Sequence, residues 1–256
     1  MAVELEGVWK VFTGPALRDV TMAASAGEVV AVLGPNGAGK TSLLRLMAGI
    51  ARPTRGAIRV LGGDPSGRSV RRRLALAGHE SSLTGHLTAL ENLQFYADLY
   101  GLPPARARAA LEEFGLARRA HQQVRSLSRG MVQRLNLARA LMHGPDVVLL
   151  DEPFTGLDAP AAAGLAARIR ELRGERRCVI MTTHHIDEAA ALADTVAVLV
   201  GGRLVALEPA GMMTQARLLE LYRSDVWGPG SGVRGLPVAT AGRTPDIGHR
   251  TPGAGS

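Results

Sequence analysis

The run Gly34-Pro35-Asn36-Gly37-Ala38-Gly39-Lys40-Thr41, followed by Ser42, places three glycines, one ammonium and a hydroxyl at the spacing that cradles phosphate. Glycines at 34, 37 and 39 let backbone amides turn inward as an anion-binding nest, and a helix starting near Lys40 adds its positive dipole end. Lys40 would reach the β- and γ-phosphates, and Thr41 would offer its hydroxyl to Mg²⁺. The chain holds 31 glycines, so a glycine-rich loop alone carries little. Lysine does: Lys10 and Lys40 are the only two, and one stands where the chemistry requires an ammonium. The expected ligand is a nucleoside triphosphate.

A second group of residues completes the chemistry. Val147 to Leu150 delivers Asp151 and Glu152 at a strand end, where one carboxylate would hold Mg²⁺ through water and the other would polarise an attacking water. The competing reading is that the pair caps the next segment. Ser128 and Gly130, in Leu127-Ser128-Arg129-Gly130-Met131, would open a helix whose N-terminal amides face a phosphate, or Ser128 is an ordinary N-cap; both can hold together. His184 and His185 follow another apolar run, and an imidazole there can bond phosphate and position water.

These groups need strands that end together and helices that begin there. Val29–Leu33, Val147–Leu150, Val179–Thr182 and Val196–Val200 are short, valine-rich and largely apolar, which predicts strands covered on both faces in a mainly parallel sheet. Leu165, Ile169 and Leu172 recur at helical spacing after Asp158, an N-cap candidate with Pro160 in the first turn. Met131, Leu135, Ala138 and Leu141 form a similar stripe. Between about 86 and 143 the pattern is mostly helical: Leu87, Leu90, Leu93, Ala97 and Tyr100 share a face, and Gly101 ends it. This block interrupts the strand–helix alternation and reads as a helical subdomain inserted into an α/β core. From 223 to 256, Gly, Pro, Arg, Thr and Ala dominate without period, and a disordered tail is expected.

The phosphate loop, the Ser128 segment, Val147-Val148-Leu149-Leu150-Asp151-Glu152-Pro153, Thr155-Gly156-Leu157-Asp158 and Thr182-Thr183-His184-His185 stand in an order that resembles the ATP-binding-cassette ATPases, over roughly residues 3 to 222. The resemblance implies a phosphate-loop NTPase fold with an antiparallel β region near the N-terminus, and an ATPase with ATP and Mg²⁺ at its site. Two subunits, expected as a homodimer, would sandwich two ATP molecules, each lending Ser128 and Gly130 to its partner's nucleotide, with Asp158 also in the nucleotide site. His184 matches the family's switch histidine, although exchange with His185 stays open. Phe12, with Trp9 as competitor, matches the adenine-stacking position, or packs as a strand residue. Glu80 stands where the family usually has a glutamine touching metal and water; a carboxylate can still ligate the metal but adds negative charge near the phosphates. Arg129 and Met131 replace the commoner glycine and glutamine, with Arg129 either near the partner's phosphate or in solvent. Within the family, Gly78-His79-Glu80 and Leu87 to Tyr96 resemble haem-exporter ATPases of cytochrome c biogenesis, and drug and polysaccharide exporters share much of this text.

Composition narrows the remaining classes. With 46% apolar and 21% charged residues in 256, the chain is expected to be globular. No apolar run approaches the roughly 18 residues that cross a bilayer. The acidic N-terminus shows no secretory signal, and a single cysteine, Cys178, excludes an internal disulfide. The expected setting is cytoplasmic, peripheral on the inner face of the membrane, against integral membrane permease subunits. The net charge of +7 is nearly all arginine, spread over helix faces, so direct nucleic-acid binding is not expected; a soluble cassette ATPase on nucleic acid or ribosomes is the alternative.

Overall fold

Sequence segments that are apolar at every position must be covered on both sides, and this rule builds the centre of the molecule. A computed structural model describes residues 1–78 and 82–226. In chain order its elements are β1 (Val3–Val11), β2 (Pro15–Ala24), β3 (Val29–Leu33), α1 (Lys40–Met47), β4 (Arg55–Val60), α2 (Arg68–Arg71), β5 (Leu74–Ala77), α3 (Ala89–Tyr100), α4 (Ala105–Glu113), α5 (Arg129–Leu141), β6 (Val147–Asp151), α6 (Ala159–Gly174), β7 (Cys178–Thr183), α7 (Ile186–Leu192), β8 (Thr195–Val200), β9 (Arg203–Pro209) and α8 (Gln215–Val226).

The main sheet runs β5-β6-β7-β3-β8-β9, with β9 antiparallel to β8 and the other pairs parallel. Because side chains alternate along a strand, each buried run feeds two cores. Val30, Val32, Val147, Leu149, Ile180 and Leu199 join α1 and a second, antiparallel sheet ordered β2-β1-β4. Val29, Ala31, Val148, Leu150, Val179 and Val198 meet residues of α5, α6, α7 and α8 on the other face. This is the expected α/β class, with its antiparallel part near the N-terminus.

A third core holds the helical block, with Leu90, Leu93 and Ala97 of α3 packed on Ala107, Ala110 and Leu111 of α4. Thr88 starts α3 through a capping box with Glu91, and Gly101 ends it in the left-handed conformation. The α5 stripe is split: Leu135 and Ala138 face this block, whereas Leu137, Ala140 and Leu141 face the main sheet. Leu141, which shares a helical stripe with Leu135 in the sequence, therefore belongs to a different core.

The four apolar runs are strands, extended to Asp151 in β6 and to Thr183 in β7. The edge strand β9 has no counterpart in the sequence reading, because its residues are mostly half-exposed and form no continuous apolar run. Helix α8 continues to Val226, past the boundary expected at 222. The expected tail at 227–256 otherwise lies outside the described residues.

Candidate functional site

The phosphate loop joins β3 to α1 and is held from behind by the neighbouring strands. A side-chain carbon on Gly34 would stand 2.3 Å from the Leu199 carbonyl oxygen in β8, and one on Gly39 would stand 2.5 Å from that of Ala16 in β2. Gly34 is thus fixed by close packing, where the sequence reading assigned it to loop conformation; Gly39 combines close packing with a φ of 105°. The Ala38 carbonyl accepts the Gly202 N–H at 3.1 Å, tying the loop to the β8–β9 turn. Pro35, Asn36 and Gly37 form the exposed crest, and Ser42 is half-buried. Helix α1 begins at Gly39 without a side-chain cap, so its first-turn N–H groups remain available to an anion.

Lys40 is buried, and its Nζ donates to the carbonyls of Gly34 at 2.7 Å and Pro35 at 3.2 Å. Burial pulls its pKa below the usual lysine range, while the Glu152 and Asp151 carboxylates oppose the shift. The Thr41 hydroxyl donates to Asp151 Oδ2 at 2.8 Å, across from α1 to the end of β6. Hydroxyl and carboxylate oxygens are hard donors, the set Mg²⁺ prefers when phosphates complete its shell. Among the described residues no group of three or more His, Cys, Asp or Glu could hold a metal, so the donor set suits an ion shared with a ligand and not an all-protein cage.

Glu152 takes a left-handed backbone with φ 48°, uncommon for a residue with a side chain and costing about 1–3 kcal/mol. Its N–H donates to the Thr182 carbonyl at 3.2 Å and hydroxyl at 3.0 Å, which holds the turn in place. The turn aims Glu152 Oε1 to within 3.5 Å of His184 Nδ1 and 4.0 Å of Lys40 Nζ. His184 therefore is the histidine beside Glu152. The His185 N–H is bound to the Thr183 hydroxyl at 3.1 Å, and the two imidazoles lie 4.0 Å apart.

Ser128 accepts the Met131 N–H at 3.3 Å, as an N-cap does, and Asp158 caps α6 by accepting the Ala161 N–H at 2.9 Å. Both also line one recess with Gly130, Arg129 and Arg134, so capping and ligand contact are compatible. Phe12 follows β1 with 60% of its surface exposed, which removes the strand-packing reading; Lys10 Nζ sits 4.9 Å from its ring centre. Glu80 lies outside the described residues.

Two residues absent from the sequence reading of the site are central to it. Thr182 donates to Asp151 Oδ1 at 2.6 Å while accepting from Glu152, and Thr183 donates to Glu188 at 2.5 Å. Their polar side chains are fully buried at the end of an apolar strand, a signal that the sequence does carry.

The family pattern described as ABC transporter matches residues 17–155, more than half of the chain. The chain belongs to that family. It is 38% identical over 197 residues to the ABC transporter ATP-binding protein NatA of Bacillus subtilis, covering 74% of this chain and 80% of that protein. Over 197 residues it is 40% identical to the daunorubicin resistance ATP-binding protein DrrA3 of Streptomyces coeruleorubidus, covering 75% of this chain but only 62% of that protein. In structure it is similar to a dimeric ATP-binding cassette in a post-hydrolysis state bound to ADP and Pi, with TM-score 0.76 and 26% identity over 81% of this chain and 98% of that one. As an ABC ATPase, the chain binds ATP and hydrolyses it. Among the described residues no helix is long and apolar enough to cross a membrane.

Proposed function

We propose that this ABC ATPase drives export of a small molecule through separate membrane-spanning subunits, working as a pair of copies. In this reading Lys40 neutralises the terminal phosphates, and α1 and the loop amides hold the rest of the chain of charge. Glu152 takes the proton of the attacking water, and His184 positions that water and the phosphate from the neighbouring strand. Thr41 and Asp151, with Glu80, would hold Mg²⁺, which supplies charge neutralisation at the phosphate oxygens. Phe12 would stack on the adenine, and Ser128, Gly130 and Asp158 would meet the nucleotide across the paired copies. The dimeric cassette similar to this chain supports the pairing.

The observation that carries the transport reading is an apolar groove outside the ATP site. Ile50 and Leu99, at 66% and 65% exposure, line it with Leu76 and Tyr100 under a rim of Arg68, Arg71 and Arg72. It lies between the segment following α1 and the end of α3. A cytoplasmic segment of a membrane subunit seated there would touch the nucleotide core and the helical block together.

Drug export is the cargo class best supported, through the likeness to the daunorubicin resistance protein. Of the text shared with haem exporters, the stretch from Leu87 to Tyr96 has a structural explanation: Thr88 and Glu91 form the capping box, and Asn92 bonds Thr84 and Thr88. Residues that start a helix say little about cargo. Nucleic-acid binding is disfavoured because many arginines are answered within the chain: Arg73 and Arg177 by Asp146, Arg106 by Glu113, Arg217 by Glu208.

Affinity purification of Glu152→Gln from solubilised membranes tests the reading. Recovery of integral membrane permease subunits is the expected result; recovery of ribosomes or nucleic acid in their place overturns it.

A further inference from the structure

A cavity of about 680 Å³ lies between the end of α4, α5 and α6, within the size range of small-molecule sites. Phe114, Leu137, Leu157 and Leu165 give it apolar walls. The carboxylates around it are already answered: Glu113 by a two-point contact with Arg106, Glu171 by Arg168, and Asp158 by the Ala161 N–H. Arg134 is not. No carboxylate pairs with it among the described residues, and its NH1 reaches only the Phe114 carbonyl at 3.4 Å. A guanidinium lining an apolar cavity without a carboxylate of its own favours a charged acceptor.

Gly164 forms part of the cavity wall. It sits within α6, where glycine weakens a helix relative to alanine. A side-chain carbon there would meet nothing within 4 Å, so neither packing nor backbone conformation requires the glycine. A larger side chain at this position would occupy cavity space.

We propose that this cavity binds a small amphipathic anion, an aliphatic or aromatic body carrying one carboxylate-like head, with the head on Arg134. The occupant would bridge the helical block and α6. Arg134, Asp158 and Ala161 also line the recess containing Ser128 and Gly130, so occupancy would stiffen the segment that meets the nucleotide.

Calorimetric titration of the full chain with decanoate, and with decanol as its neutral counterpart, tests the site. Decanoate is expected to saturate one site per chain and to bind at least tenfold tighter than decanol. Gly164→Leu, which fills the cavity, is expected to weaken decanoate at least tenfold without lowering Tm. Arg134→Gln is expected to erase the preference for decanoate. Absence of saturable decanoate binding, undiminished binding to Gly164→Leu, or a preference that survives Arg134→Gln overturns the proposal.

Discussion

Thr182 and Asp151 face each other across neighbouring parallel strands, and the threonine hydroxyl donates to Asp151 Oδ1 at 2.6 Å. The same hydroxyl accepts the Glu152 N–H at 3.0 Å. One oxygen thus orients the side chain of one carboxylate and the backbone of the next.

Thr182→Val removes this junction while keeping shape, leaving a buried carboxylate oxygen and an N–H poorly satisfied. The expected loss is about 1–3 kcal/mol of stability, with ATP turnover reduced at least tenfold. Thr182→Ser should recover most of both. Urea denaturation and steady-state ATPase assays of the two variants check the outcome.

Glu152→Gln keeps the size of the side chain near His184 and Lys40 but removes the basic oxygen. ATP turnover is expected to fall by about a hundredfold or more, with nucleotide binding retained and a paired form accumulating. Single-turnover hydrolysis and gel filtration in ATP read the two effects separately. Unchanged turnover would remove Glu152 from the role of base.

Gly34→Ala drives a carbon against the Leu199 carbonyl, where backbone meets backbone and little can yield. The expected cost is about 1–3 kcal/mol, together with weaker ATP binding as the loop shifts. Gly211→Ala, which meets nothing within 4 Å, is expected to stay close to the parent. Thermal melts with and without ATP distinguish the pair.

His143 stacks on Tyr100 with ring centres 4.0 Å apart. Burial, with a smaller contribution from Arg139, pulls its pKa from 6.5 down to about 4 against the raising influence of the Leu74 backbone. The unfolded chain therefore takes up this proton first, and stability falls as pH drops from 6.5 towards 4. After allowance for partial solvent access, the contribution is on the order of 2 kcal/mol. Subtracting the pH–stability curve of His143→Phe from that of the parent should isolate a slope confined to this window; parallel curves would contradict it.

The central strands were legible because β3 and all but the ends of β6 and β7 are apolar, the mark of burial on both faces. Lys40, Thr41, Asp151, Glu152 and His184 could be singled out as candidates because neighbours in sequence mark them, and the fold brings them together. Thr182 was not assigned to the site, since its role comes from lying opposite Asp151 in the β6–β7 register. Strand β9 was missed for a related reason: it occupies an edge, and its half-exposed residues carry no continuous apolar signal. The role of Gly34 depends on β8, which follows it by more than a hundred and fifty residues and meets it only in three dimensions.

Helix α5 contributes Leu135 and Ala138 to one core and Leu137 and Leu141 to another. Drift on either side of this rod is therefore policed by both halves of the molecule. An enlarged residue against the sheet would tilt the Ser128 end, and so would a shrunken one against α3. Change is accordingly least costly elsewhere, at exposed positions that touch neither core.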